Sequence, residues 1–106
     1  MITDEFKCYI QSTYRKSNFQ YKQKTLEKIC DWNGWTTDSI KIFKQILRRI
    51  QNGEGSPDNN PSKKKGMRLC LPLLKNRYMT IFFEPPQPPS TSYYFIYGFT
   101  ISDYEI

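Results

Sequence analysis

The chain contains no histidine, no alanine and no valine among its 106 residues. Histidine is the commonest general base at neutral pH, because its ordinary pKa lies close to that pH. Its absence excludes Ser-His and Cys-His nucleophiles and every nuclease mechanism that uses a pair of histidines. An enzyme of this composition would have to work with lysine, arginine and tyrosine.

Cysteine is also scarce, since Cys8, Cys30 and Cys70 are far apart and form no CxxC pair. With no histidine either, this spacing predicts no zinc site, and we expect no metal and no cofactor. Reduced thiols are typical of a cytoplasmic protein. No apolar run approaches the roughly 20 residues of a membrane span, and the N-terminus lacks the pattern of a signal peptide.

The chain is rich in positive charge and in aromatic residues. Sixteen lysines and arginines against ten acidic residues give a net charge of +6, and aromatic residues make up 16% of the chain. A basic protein favours an acidic partner, although a basic surface also serves solubility alone. A chain of this length predicts a single domain over residues 1–106, since a second domain would be too short to hold its own core.

Residues 63–77 hold six cations and no acid. These cations are Lys63, Lys64, Lys65, Arg68, Lys75 and Arg77. Arg68 and Arg77 fall in strand-like segments, where alternate side chains share one surface of a sheet. A basic surface of that kind attracts phosphate. We therefore expect a polyanionic partner, above all RNA or the ribosome.

Hydrophobic spacing predicts two helices, over residues 22–32 and 37–52. The first places Leu26, Ile29 and Cys30 on one face. The second begins at Thr36–Asp38, which offer N-terminal caps, and ends at a glycine. Its apolar stripe consists of Ile40, Phe43, Ile46, Leu47 and Ile50. For residues 5–10 the pattern favours a strand or irregular structure over a helix, and residues 11–21 show no clear period.

The second half of the chain has the pattern of β-structure. Three strands are predicted over residues 67–74, 76–84 and 93–101, after a loop at 53–66. The proline-rich segment 84–92 connects the last two strands. Helices followed by three closely linked strands predict an α+β fold, with two N-terminal helices packed on one face of a small antiparallel sheet.

RNA cleavage by the ribose 2′-hydroxyl needs a base, a cation to stabilise the transition state and an acid. A lysine crowded by other cations has a lowered pKa and can act as a base, and arginine stabilises phosphoryl oxygens. Tyrosine can donate a proton. The candidates are Lys65, Arg68, Lys75, Arg77, Tyr78, Tyr97 and Tyr104. Tyrosines and either Trp32 or Trp35 can also stack on unpaired bases.

The segments RLCLPLLKNRYMTIFFE and YYFIYGFTISDYE resemble the strand pattern of the bacterial RelE/ParE/HigB toxin superfamily. The resemblance implies N-terminal helices on an antiparallel sheet and cleavage of mRNA without histidine or metal. It also implies neutralisation by a small antitoxin or other protein partner.

Carried over by residue, the resemblance makes Arg68, Arg77, Tyr104 and Lys65 the catalytic candidates. The candidates for binding RNA are Lys63, Lys64, Lys75, Tyr78 and Tyr97. One departure concerns the strand after Gly98, where many members of the superfamily carry lysine or arginine. Here that strand has no cation and is followed by acidic residues.

Two functions are favoured, ahead of a gyrase-directed toxin of the same fold and a plain nucleic-acid-binding module. The first is a toxin-like, metal-independent endoribonuclease of the mRNA interferase type. The second is a non-catalytic inhibitor or immunity protein that binds a partner protein or nucleic acid. The first requires that Arg68 and Arg77 converge on one pocket.

Overall fold

The computed structural model describes residues 4–7, 9–10 and 19–106. Their helices and strands are α1 (residues 4–7 and 9–10), β1 (Phe19–Tyr21), α2 (Gln23–Asp31), α3 (Thr37–Gln51), β2 (Ser56–Pro57), β3 (Met67–Leu73), β4 (Arg77–Glu84) and β5 (Tyr94–Ser102). The two predicted helices and three predicted strands are confirmed to within one or two residues. No helix in the described ranges has both the length and the apolar character needed to cross a bilayer.

Helix α3 has the ends that its sequence predicts. The Thr36 side chain accepts a hydrogen bond from the Ser39 amide at 3.1 Å, and the Ser39 hydroxyl oxygen accepts one from the Thr36 amide at 2.7 Å. This reciprocal pair satisfies two backbone donors that a helix start otherwise leaves open. The helix ends before Gly53, which has a φ of 86°. Its predicted apolar stripe is buried except for the half-buried Ile40.

The sheet is mixed, which corrects the expectation of a purely antiparallel one. Its five strands lie in the order β1-β5-β4-β3-β2, and β3, β4 and β5 form the expected antiparallel meander. Strand β2 adds antiparallel to β3, whereas β1 pairs parallel with β5. Strands of two and three residues are too short to show a period of two, so the sequence pattern missed both. Residues 11–18 lie outside the described residues.

The described residues near the N-terminus are helical, so the expectation of a strand or irregular structure over residues 5–10 was wrong there. Phe6 and Ile10 are four residues apart, which places them on one helix face, and both are buried. The Phe6 ring lies 4.5 Å from the Trp35 ring and 5.2 Å from the Phe43 ring. Burial among these rings favours the helix, and the segment is too short for its period alone to show it.

The described helices pack on one face of the sheet, as predicted, but there are three of them where two were predicted. One cluster of buried side chains joins Phe6 and Ile29 of the helices to the central strands, and its β4 and β5 members are Met79, Ile81, Phe83, Ile96 and Phe99. Cys30, which was predicted to share the apolar face of α2, is exposed and does not belong to that cluster. The buried residues of α2 are Thr25 and Ile29. We call the other side of the sheet the open face, since no helix of the described part of the chain covers it.

Candidate nucleic-acid interface

The strand register separates the two arginines that were expected to form one site. Arg68 pairs with Phe82, and Arg77 pairs with Leu73. Positions 77 and 82 are an odd number of residues apart on β4, so the two arginines belong to opposite faces. At roughly 3.3 Å per residue they also lie about 17 Å apart along the strands. The expected shared pocket is therefore not formed.

The tight turn between β3 and β4 fixes this register. Lys75 and Asn76 both have positive φ angles, 62° and 58°, in the turn that follows Leu73 and Leu74. The turn places Arg77 on the helix-bearing face, beside α3, and leaves Arg68 on the open face. The sequence predicted that both arginines lie on strands. Which face of the sheet each one occupies depends on the turn, which the sequence pattern did not predict.

The first group of predicted site residues surrounds the loop that precedes β3. The Tyr97 hydroxyl donates a hydrogen bond to the Asp58 carboxylate, and the Lys63 ammonium lies 4.7 Å from the centre of the Tyr97 ring. The Arg68 guanidinium donates to the carbonyl of Pro57. Lys64 and Lys65 are exposed on the same loop. Arg68 and the three lysines therefore lie at one end of the sheet, which we call the loop end.

Tyr97 is unsuited to proton transfer in this position. Burial raises the pKa of the Tyr97 phenol, and the hydrogen bond to Asp58 raises it further. Its proton is already engaged by a carboxylate, so the phenol stays neutral throughout the physiological range. Tyr97 thus holds the loop, and its role as an acid or base is not supported by its surroundings.

The second group lies at the opposite end of the sheet, around the β3–β4 turn. Arg77 is exposed there, and Lys75 lies in the turn itself. Tyr78 is half-buried and pairs with Ser102, while Tyr104 follows β5 with 70% of its surface exposed. The four catalytic candidates are therefore divided: Lys65 and Arg68 lie at the loop end, and Arg77 and Tyr104 at the turn end.

A cleft of about 760 Å³ opens at the turn end, between α3 and the β3–β4 turn. It is lined by Trp32, Gly34, Thr36, Asp38, Ser39, Lys41, Ile42, Gln45, Pro72, Leu73, Leu74, Lys75 and Arg77. The sequence pattern missed this cleft, because its residues come from two separate segments, 32–45 and 72–77, that only the folded chain brings together.

The rim of the cleft is positively charged. Lys41, Lys75 and Arg77 line it against a single carboxylate, that of Asp38. Within the described ranges the one ion pair joins Arg49 to Glu54, so these three cations have no carboxylate partner within 4.0 Å. The N-terminus of α3 also opens here and adds its positive dipole end. The cleft therefore has the electrostatics of an anion-binding site.

The floor of the cleft is apolar and includes one of the two tryptophans. Trp32 is half-buried, and its ring packs edge-on against the rings of Trp35 and Phe99 at 4.8 and 5.9 Å. The backbone of Gly34 lies so close to the Trp32 ring that an added Cβ would clash with it. Trp35 is buried and donates its indole N–H to the Ile29 carbonyl at 2.7 Å. Of the two tryptophans named as stacking candidates, only Trp32 reaches the cleft.

The outer face of α3 extends the positive charge away from the cleft. Residues 19–52 carry seven cations and three acids, whereas residues 53–106 carry six cations and five acids. On α3, Lys41 and Arg48 are exposed and share one face with Gln45. Lys44 is half-buried, with its ammonium 4.7 Å from the centre of the Tyr9 ring. The helices therefore contribute more of the charge surplus than the segment 63–77 suggests, because acids elsewhere in the C-terminal half offset its cations.

Comparison with protein-family models, curated proteins and solved structures gives no match to this chain. Its function is therefore inferred from the cleft and from the charges around it.

Proposed function

We propose that the protein binds single-stranded RNA without cleaving it, in the cleft beside the β3–β4 turn and along the outer face of α3. The observation that carries this proposal is that unpaired cations and an apolar floor with one tryptophan ring meet in one cleft. Lys41, Lys75 and Arg77 form the rim, and Trp32 contributes to the floor.

Each part of the cleft has a distinct task in this proposal. The cations of the rim attract phosphates and release their counterions, which supplies affinity without reading sequence. Trp32 offers a ring on which an unpaired base can stack, a contact that contributes about 1–3 kcal/mol per base. Arg48 extends the row of cations about two helical turns beyond Lys41. A flexible single strand can follow this row and still insert one base into the cleft.

Binding is favoured over catalysis because the residues expected to cleave RNA are not assembled. Lys65 and Arg68 lie at the loop end, far from Arg77 and Tyr104. Cleavage by the 2′-hydroxyl requires its base, acid and charge stabiliser around one phosphate. If the resemblance to the RelE/ParE/HigB superfamily reflects kinship, this chain would share the helices packed on a β-meander. It would bind RNA without bringing the catalytic residues together.

A second candidate function is the binding of an acidic protein partner in the same cleft, as an inhibitor or immunity protein would do. Leu74 favours it, because this leucine at the cleft edge exposes 70% of its surface. An acidic segment that carries one large apolar side chain would match both the rim and the floor. The presence of the Trp32 ring in the cleft and the row of cations along α3 favour RNA over this alternative.

The direct test is the affinity of the protein for a labelled oligouridylate, measured by fluorescence anisotropy over a range of salt concentrations. The double variant Lys41→Gln/Arg77→Gln removes two rim cations that are exposed and unpaired, so folding is retained. We expect the variant to bind at least about tenfold more weakly. Its log–log salt slope should be smaller by about 1.4, which is two phosphate contacts at roughly 0.7 each for a single strand.

The matched control is Lys24→Gln/Lys28→Gln, which removes the same charge from exposed positions on α2. It should change the affinity far less than the rim variant. Equal effects of the two variants would show that only net charge matters and would contradict a site in the cleft. Cleavage of the oligouridylate by the wild type would contradict binding without catalysis. Tight binding of an acidic peptide with no binding of RNA would identify the cleft as a protein-binding site.

A further inference from the structure

The loop at residues 58–66 is an internally bonded unit. The Asp58 amide donates to the Gly66 carbonyl at 2.9 Å, which closes the loop, and the Gly66 amide donates to the Lys63 carbonyl at 2.9 Å. Inside the loop, the Asn60 side chain accepts hydrogen bonds from both the backbone amide and the hydroxyl of Ser62. These bonds give the loop a defined shape between β2 and β3.

Tyr97 fastens this loop to the sheet. Its hydroxyl donates to Asp58 at the start of the loop, and its ring carries the Lys63 ammonium. At the end of the loop, a Cβ on Gly66 would clash with the Tyr97 hydroxyl, so only glycine allows this close approach. Tyr97 therefore contacts the loop at its start, middle and end.

The next two lysines project from the fastened loop. Lys64 and Lys65 are exposed, and neither forms an ion pair within the described part of the chain. The Lys63 ammonium lies over the Tyr97 ring, so Lys63 helps to hold the loop, whereas Lys64 and Lys65 extend into solvent. Because hydrogen bonds hold the backbone of this loop, two neighbouring lysines on it can bind phosphate with less loss of backbone conformational entropy than lysines on a free loop.

The length of α3 gives a lower limit for the distance between this lysine pair and the cleft, because the helix runs from the turn end of the sheet to the loop end. The helix begins beside the cleft, directly after its N-cap Thr36, and ends at Gln51. Four residues then precede β2, which leads directly into the loop. Fifteen residues at 1.5 Å each make α3 about 22 Å long. With a rise of roughly 3.4 Å per nucleotide in a stacked strand, a minimum of about 7 nucleotides would bridge the two positions.

We propose that Lys64 and Lys65, held in place by Tyr97, form a second phosphate-binding site for the RNA strand that occupies the cleft. This inference rests on the proposed function. The protein is then bivalent along one RNA strand, with the cleft at one end and the lysine pair at the other. Linked binding of this kind makes affinity depend on the length of the strand, because a short strand reaches only one site.

The test compares oligouridylates of about 4 and about 14 nucleotides, chosen to lie below and well above the minimum bridging length of about 7 that the strand rise gives. The wild type should bind the longer one at least about tenfold more tightly, since its second contact is intramolecular. The variant Lys64→Gln/Lys65→Gln should lose most of that gain and bind the short oligouridylate as the wild type does. Its salt slope for the long strand should fall by about 1.4.

Tyr97→Phe tests the fastening, because it removes the hydroxyl and keeps the ring and every lysine. We expect weaker binding of the long oligouridylate, unchanged binding of the short one and faster amide hydrogen exchange in residues 58–66. Lys24→Gln/Lys28→Gln again serves as the charge control. Loss of long-strand affinity in the control to the same extent would overturn the second site, as would an unchanged length dependence in Lys64→Gln/Lys65→Gln. Failure of the short oligouridylate to bind the wild type would instead contradict the cleft.

Discussion

At the scale of single residues, tyrosines that look alike in the sequence have different environments. Tyr97 is bound to Asp58 and lies under Lys63, whereas Tyr104 exposes 70% of its surface. Burial raises the pKa of Tyr97, and burial also raises that of Tyr9 despite the opposing charge of Arg48. Tyr97 therefore has a structural role, whereas Tyr104 is accessible to solvent.

The raised pKa of Tyr97 predicts how stability depends on pH. The folded protein holds this phenolic proton above the ordinary pKa of 10.0, while the unfolded chain releases it there. The stabilisation is therefore complete below pH 10 and declines as the pH rises beyond it. Urea denaturation at neutral and at alkaline pH should show a smaller alkaline loss for Tyr97→Phe than for the wild type. An equal loss in both proteins would contradict the bond to Asp58.

At the scale of the elements, long periodic segments were predictable and short ones were not. Helix α3 repeats its apolar positions over fifteen residues, so its bounds and its buried face follow from the sequence. Strands β1 and β2 are two or three residues long, and they form only because β5 and β3 provide edges to pair with. The positions of Arg68 and Arg77 on strands were predictable. The face of the sheet that each occupies was not, because the β3–β4 turn sets the strand register.

The start of α3 permits a clean measurement at this scale. Thr36→Ala removes the side-chain oxygen that accepts the Ser39 amide, so one reciprocal bond of the helix start is lost. We expect a loss of about 1 kcal/mol in the free energy of unfolding by urea denaturation. Thr37→Ala is the matched control, since Thr37 is the next residue and is exposed. A comparable loss in the control would show that the cap does not stabilise the helix.

At the scale of the whole molecule, the two ends of the sheet carry separate basic groups. The cleft lies at the turn end, the Tyr97-held lysines lie at the loop end, and α3 runs between them. The sequence predicted a polyanionic partner from a single basic segment, and this stays a prediction. The folded chain distributes that segment over both ends, because the length of β3 separates Lys65 and Arg68 at the loop end from Lys75 and Arg77 at the turn end.

The two tryptophans allow the most direct test of RNA binding in the cleft. Each contributes one indole N–H signal to a two-dimensional proton–nitrogen NMR spectrum, and only Trp32 lines the cleft, whereas Trp35 is buried with its N–H bonded to Ile29. Titration with a short oligouridylate should shift the Trp32 signal strongly and the Trp35 signal little, with the RNA intact afterwards. An unmoved Trp32 signal at saturating RNA, or RNA cut during the titration, would contradict the proposed function.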